Sequence, residues 1–116
     1  MASKTVWTYR GGIDTAANDL VGFDVEASDG GIGKIDQSST EVNRQYLVVD
    51  TGFWIFGKKR LIPAGMVTRV DPTDRRVYMS MTKDQIKNAP DFDEAMTADD
   101  DAYYDKYGTY YGSYWS

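Results

Sequence analysis

The stretch from 76 to 93 constrains the fold of this chain more than any other. It opens as a strand-like run, Arg76-Val77-Tyr78-Met79-Ser80-Met81, with Val77, Met79 and Met81 on one face and Tyr78 and Ser80 on the other. A short helix follows at once. Thr82 and Gln85 stand at capping-box spacing, in which the Thr oxygen accepts an orphan N–H and the Gln side chain reaches back. Pro90 disfavours the α conformation at Ala89 and ends the helix after about two turns. A β-run closed by a Thr-capped helical stub and an Ala-Pro-Asp-Phe exit organises a fold. It does not resemble an active site.

Residues 1–18, with Trp7, Tyr9 and Ile13 among polar residues and Gly11-Gly12, read as an irregular arm, and from 19 to this point the chain reads as strands joined by tight turns. Val21, Phe23 and Val25 alternate with Gly22, Asp24 and Glu26, which predicts a half-buried strand. Ser28-Asp29-Gly30-Gly31 supplies turn residues for a hairpin into Gly33-Lys34-Ile35-Asp36. Residues 38 to 44 are polar and read as a loop or the frayed end of that strand. Leu47, Val48 and Val49 are apolar on both faces, as in a central strand. Arg60-Leu61-Ile62-Pro63 is a short strand whose Pro belongs at an end or an edge. Val67 to Asp71 follows, and Asp71-Pro72-Thr73-Asp74 is a turn with Pro in second place. Six short strands and one short helix predict a mainly all-β chain, a small β-barrel.

In order and spacing these segments resemble the PRC-barrel family. The resemblance rests on Asp19-Leu20-Val21-Gly22-Phe23-Asp24-Val25, similar to the opening strand, and on Gly30-Gly31-Ile32-Gly33-Lys34-Ile35-Asp36, similar to the second. It continues through Tyr46-Leu47-Val48-Val49-Asp50-Thr51-Gly52, Lys58-Lys59-Arg60-Leu61-Ile62-Pro63 and the segment to 93. It implies a six-stranded PRC-type barrel over 19–93, preceded by an arm at 1–18 and followed by an acidic, Tyr-rich tail at 94–116. The family takes its name from the photosynthetic reaction-centre H subunit and includes the C-terminal domain of the ribosome maturation factor RimM. The resemblance is to small stand-alone members, which implies a fold more than a biochemical role.

Composition narrows the chemistry. The 116 residues contain no Cys and no His, which excludes thiolate nucleophiles, Ser-His dyads, disulfides and the usual zinc or copper sites. The carboxylates Asp91, Asp93, Glu94, Asp99, Asp100 and Asp101 lack calcium-loop spacing and read as a solvated linker. Gly30-Gly31-Ile32-Gly33 enters a strand, not a helix, and reads as a turn and not as a phosphate loop. We expect no catalytic residues, no cofactor and no metal, and therefore not an enzyme. The N-terminus has no apolar leader region and no segment reaches spanning length, so a cytoplasmic protein is expected. Net charge is −5, but residues 1–90 carry +1 and residues 91–116 carry −6. A near-neutral body argues against nucleic-acid binding, which needs a concentrated basic surface.

Two aromatic segments are the candidate interaction sites. Phe53, Trp54, Ile55 and Phe56 form an apolar run between Gly52 and Gly57, and a small barrel can bury only one of the two faces of such a run. The alternative is a loop folded over one barrel end or covered by the N-terminal arm. The adjacent Lys58-Lys59-Arg60 adds a weak case for membrane-surface contact. The second segment holds six of the nine tyrosines, in residues 103–116. Tyr104, Tyr107, Tyr111 and Trp115 make one stripe if helical, but Gly108 and Gly112 oppose a helix by about 1 kcal/mol each. A shorter helix over 98–107 with Thr97 as N-cap is the alternative, and a solvated or loosely packed extension is another. The leading expectation is a non-catalytic protein-interaction or scaffold module, a homodimer or a binder of another protein. The family resemblance adds two others, an RNA- or ribosome-associated factor and a membrane-peripheral or photosynthetic accessory protein.

Overall fold

The computed structural model describes residues 6–7, 9, 20–39, 45–52, 59–90 and 101–114. Six strands form one sheet: β1 (Asp24–Ala27), β2 (Gly30–Ser39), β3 (Tyr46–Asp50), β4 (Lys59–Pro63), β5 (Val67–Asp71) and β6 (Arg76–Met79). Their order across the sheet is β4-β3-β2-β1-β6-β5. All neighbours are antiparallel except β1 and β6, whose parallel pairing joins two antiparallel units into one sheet. A short 3₁₀ turn, Ala64–Met66, links β4 to β5, the two outermost strands. The fold is mainly β and barrel-like, and β4 and β5 do not pair to close the ring.

Bulges interrupt the ladder at Val25/Glu26, Ile35/Gln37 and Val67/Arg69, and such bulges bend a strand and raise its twist. All six strands contribute to one apolar core, including Val25, Ile35, Leu47, Ile62, Val67 and Val77. Leu47, Val48 and Val49 are all buried, as expected of a strand covered on both faces. Gly33, at φ +150°, is required where β2 meets β3: a Cβ there would lie 2.0 Å from the Asp50 carbonyl oxygen. Charge also favours the observed register. Asp71, Arg76, Asp24, Lys34, Asp50 and Lys59 stand side by side across all six strands, acid alternating with base. Such opposite-charge cross-strand neighbours favour this alignment over a slipped one.

Among the described residues, two helices follow the sheet. The first, α1 (Lys83–Lys87), has the predicted capping box: Gln85 N–H donates to Thr82 Oγ1 at 3.2 Å and Thr82 N–H to Gln85 Oε1 at 2.9 Å. Asp29, at the tip of the β1–β2 hairpin, accepts from Lys83 N–H and ties that tip to the start of α1. The second, α2 (Asp101–Gly112), differs from the shorter helix expected over 98–107 and from an unstructured extension. It runs through Gly108 because Tyr104, Tyr107, Gly108 and Tyr111 are buried together, and that burial outweighs a glycine cost of about 1 kcal/mol.

The opening strand also differs from its expected extent. Val21 is 42% exposed, and the chain turns at Val21-Gly22 with Gly22 at φ +90° before β1 begins at Asp24. Only Phe23 and Val25 of the predicted alternation face the core. At the other end of the hairpin, β2 continues to Ser39, so the first residues of the segment read as a loop or a frayed strand end belong to the strand.

Candidate functional site: the two edges of the sheet

A sheet that does not close leaves two outer strands, and each offers backbone N–H and C=O groups to another chain unless something covers it. Here the two edges have opposite fates.

The β4 edge is sealed by the chain itself. From Arg60 to Pro63 every residue is buried, and α2 packs against this strand. Trp7 lies edge-on to Tyr104 with ring centroids 4.8 Å apart, and both approach Tyr46 at 6.4 Å. Gln45 holds Trp7 and Tyr9, its N–H donating to the Trp7 carbonyl at 2.9 Å and its side-chain oxygen accepting from Tyr9 N–H at 3.4 Å. Arg60 is the polar centre of the seal, with only 4% of its surface exposed. Its Nε donates to the Ile86 carbonyl at 3.3 Å and its Nη2 to the Lys87 carbonyl at 3.0 Å, while Nη1 bonds the Lys59 carbonyl at 3.2 Å. The Tyr110 hydroxyl donates to the Gln85 carbonyl next along. Three successive carbonyls at the C-terminal end of α1 thus accept from β4 and α2, that of Ile86 in addition to the Ala89 N–H at 3.1 Å.

Burial raises the tyrosines of this region. Desolvation pushes the Tyr9 hydroxyl up to about 12. Desolvation also pushes Tyr110 up to about 12, helped by its hydrogen bond with Tyr114 and opposed by the charge of Arg60. Tyr111 is fully buried and is pushed higher still by desolvation, and its hydroxyl has no hydrogen-bond partner among the described residues.

Among the described residues the β5 edge is open: β5 has one neighbour, β6, and Thr68 and Arg69 are exposed while Val70 and Asp71 are half-buried. The Arg69 guanidinium lies 4.3 Å from the centroid of the Tyr78 ring, and its Nη2 is 4.0 Å from Asp71 Oδ2. Asp71 Oδ1 accepts from Thr73 N–H and Asp74 N–H, both at 3.1 Å, and so builds the turn that the Asp-Pro pair predicted.

The candidate residues fall into two groups. Tyr104, Tyr107 and Tyr111 sit inside the chain's own core, on the face of α2 that covers β4. Phe53, Trp54, Ile55, Phe56 and Trp115 lie outside the described residues. The basic run beside them is largely spent within the fold: Lys59 Nζ pairs with Asp36 Oδ2 at 2.9 Å, and Arg60 is buried as described. Arg60 and the β5 edge are the features that sequence reasoning missed. The only signal for Arg60 was its parity with Ile62 in β4, and its place in a run of three cations masked that. No group of three or more metal-ligating side chains occurs among the described residues, and no helix among them is long and apolar enough to cross a membrane.

No protein-family model and no curated protein matches the chain. Among solved structures it is similar to a 16S ribosomal RNA processing protein, RimM, from Pseudomonas aeruginosa, at 20% identity and a TM-score of 0.46. The match covers 56% of this chain and 42% of that one, so the chain spans less than half of that protein's length.

Proposed function

We propose that this chain is a non-catalytic protein-interaction module of the PRC-barrel type that associates with itself through its barrel. The observation that supports this reading is the contrast between the edges. The chain spends its own C-terminal helix and a buried arginine on covering β4, and leaves β5 exposed with its charged side chains. A surface of strand backbone and charge recognises another chain, not a small molecule in a cleft. The absence of His and Cys agrees with a role that needs no acid–base or nucleophilic group. The apolar run 53–56 is not needed for this proposal.

Sedimentation equilibrium over a wide range of protein concentration tests it. A reversible monomer–dimer equilibrium is the expected result. A monomer at every concentration overturns self-association.

A further inference from the structure

Which surface would two copies share? We infer that they pair along β5 in antiparallel register centred on Val70, so that Arg69 of each copy faces the partner's Asp71. The inference rests on the proposed self-association and goes further by naming the surface, the register and the charges that select it.

Among the described residues β5 is the outer strand with one hydrogen-bonded neighbour and exposed side chains, whereas β4 is covered by α2. An open edge attracts strands of many kinds, and charges placed on it limit which ones fit. Along β5 the order is base, apolar, acid in Arg69-Val70-Asp71. Reversing the strand about a two-fold axis through Val70 gives acid, apolar, base. Two copies are therefore complementary at both charged positions, and a closed two-fold pair satisfies both at once. Centring the pair one residue earlier would set guanidinium against guanidinium, and like charges directly opposite destabilise a ladder.

The groups are also accessible. Arg69 is exposed, its guanidinium resting over the Tyr78 ring of the neighbouring strand β6, from which it can swing to a partner's carboxylate. Asp71 uses Oδ1 for the turn, and its Oδ2 stands 4.0 Å from Arg69 Nη2, too far for a hydrogen bond. That oxygen remains able to accept a closer guanidinium. Pro72 ends the strand and has no N–H to give, so the shared ladder is short. The dimer should therefore be weak and sensitive to salt.

A charge swap tests the register. Arg69→Asp places two acids opposite two acids across the axis, and Asp71→Arg places two bases opposite two bases. Each variant alone should dimerise about tenfold more weakly than the parent chain. An equimolar mixture should recover heterodimer at near-parent affinity, because each variant then presents what the other lacks. Sedimentation equilibrium of the three samples reads this, with circular dichroism confirming that each is folded. Arg69→Asp leaves the Asp71 turn intact and guards against misreading a folding defect. A parent chain that stays monomeric overturns both this inference and the self-association it rests on. A parent dimer that Arg69→Asp does not weaken overturns the β5 pairing alone. Variants that both weaken but fail to recover on mixing overturn the register.

Discussion

The two outer strands of this sheet are equal in length and flank the same 3₁₀ turn, yet they are treated in opposite ways. Residues 60–63 of β4 are buried, and a helix from a distant part of the chain, Asp101–Gly112, packs against this strand. β5 faces solvent with an arginine on a tyrosine ring and an aspartate in a turn. Apolar and aromatic burial dominates at the first edge, and exposed charge at the second. Damage at β4 should therefore appear as lost stability. Damage at β5 should appear as altered association with the fold intact.

The largest expected effect is at the seal. Tyr107 is fully buried in α2, and Tyr107→Ala should destabilise the chain by about 3–5 kcal/mol in chemical denaturation, as large-to-small aromatic changes in cores do. A loss below about 1 kcal/mol would show that α2 does not belong to the cooperative unit. Arg60→Met comes next. It keeps much of the stem's bulk and removes the guanidinium from the Ile86 and Lys87 carbonyls, at an expected cost of about 1–3 kcal/mol. Amide hydrogen exchange should then quicken in α1 and α2 before it does in β1 and β2.

Alkaline pH probes the same seal without mutation. The Tyr9, Tyr110 and Tyr111 hydroxyls are raised above their ordinary value of 10.0 in the folded state. The folded chain therefore holds these protons more tightly than the unfolded one, and that stability is fully present below about pH 10. It is lost as pH rises through about 12 for Tyr9 and Tyr110, with Tyr111 following at higher pH. The melting temperature should fall over this window together with the rise of tyrosinate absorbance. Tyrosinate appearing without any loss of stability would mean that these hydroxyls are not held by the fold.

The smaller effects separate the edges most sharply. Tyr111→Phe removes a buried hydroxyl that has no partner among the described residues, so it should be neutral or should stabilise by up to about 1 kcal/mol. A loss above that range would reveal a partner for the hydroxyl. Arg69→Ala, on the exposed edge, should change folding stability by less than about 0.5 kcal/mol. If it costs as much as Arg60→Met, the distinction between a sealed and an open edge fails.

Some of this was legible residue by residue. The Thr82–Gln85 box and Pro90 both act within a few residues of themselves, so helix α1 could be placed from local chemistry. The Asp71-Pro72 turn was legible for the same reason, since the Asp carboxylate caps N–H groups two and three positions on. The tyrosine stripe at spacings of three and four was visible too, although its burial was not. Arg60 was misread because a charge in a run of cations is ordinarily solvated. Its burial depends on carbonyls that only the packing of α1 against β4 brings within reach.

The sequence by itself determined the element types: six short strands, one capped helical stub, and a chain without the side chains for thiol or imidazole chemistry. Each of these follows from interactions between near neighbours or from composition alone. Only the tertiary structure decided that α2 runs past Gly108, that Val21 turns outward, and that β4 is covered while β5 is not. Those outcomes depend on the parallel pairing of β1 with β6 and on the docking of a distant helix. Both are contacts between residues far apart in the chain, and no local pattern records them because their free energy comes from surfaces that exist only once the sheet has formed.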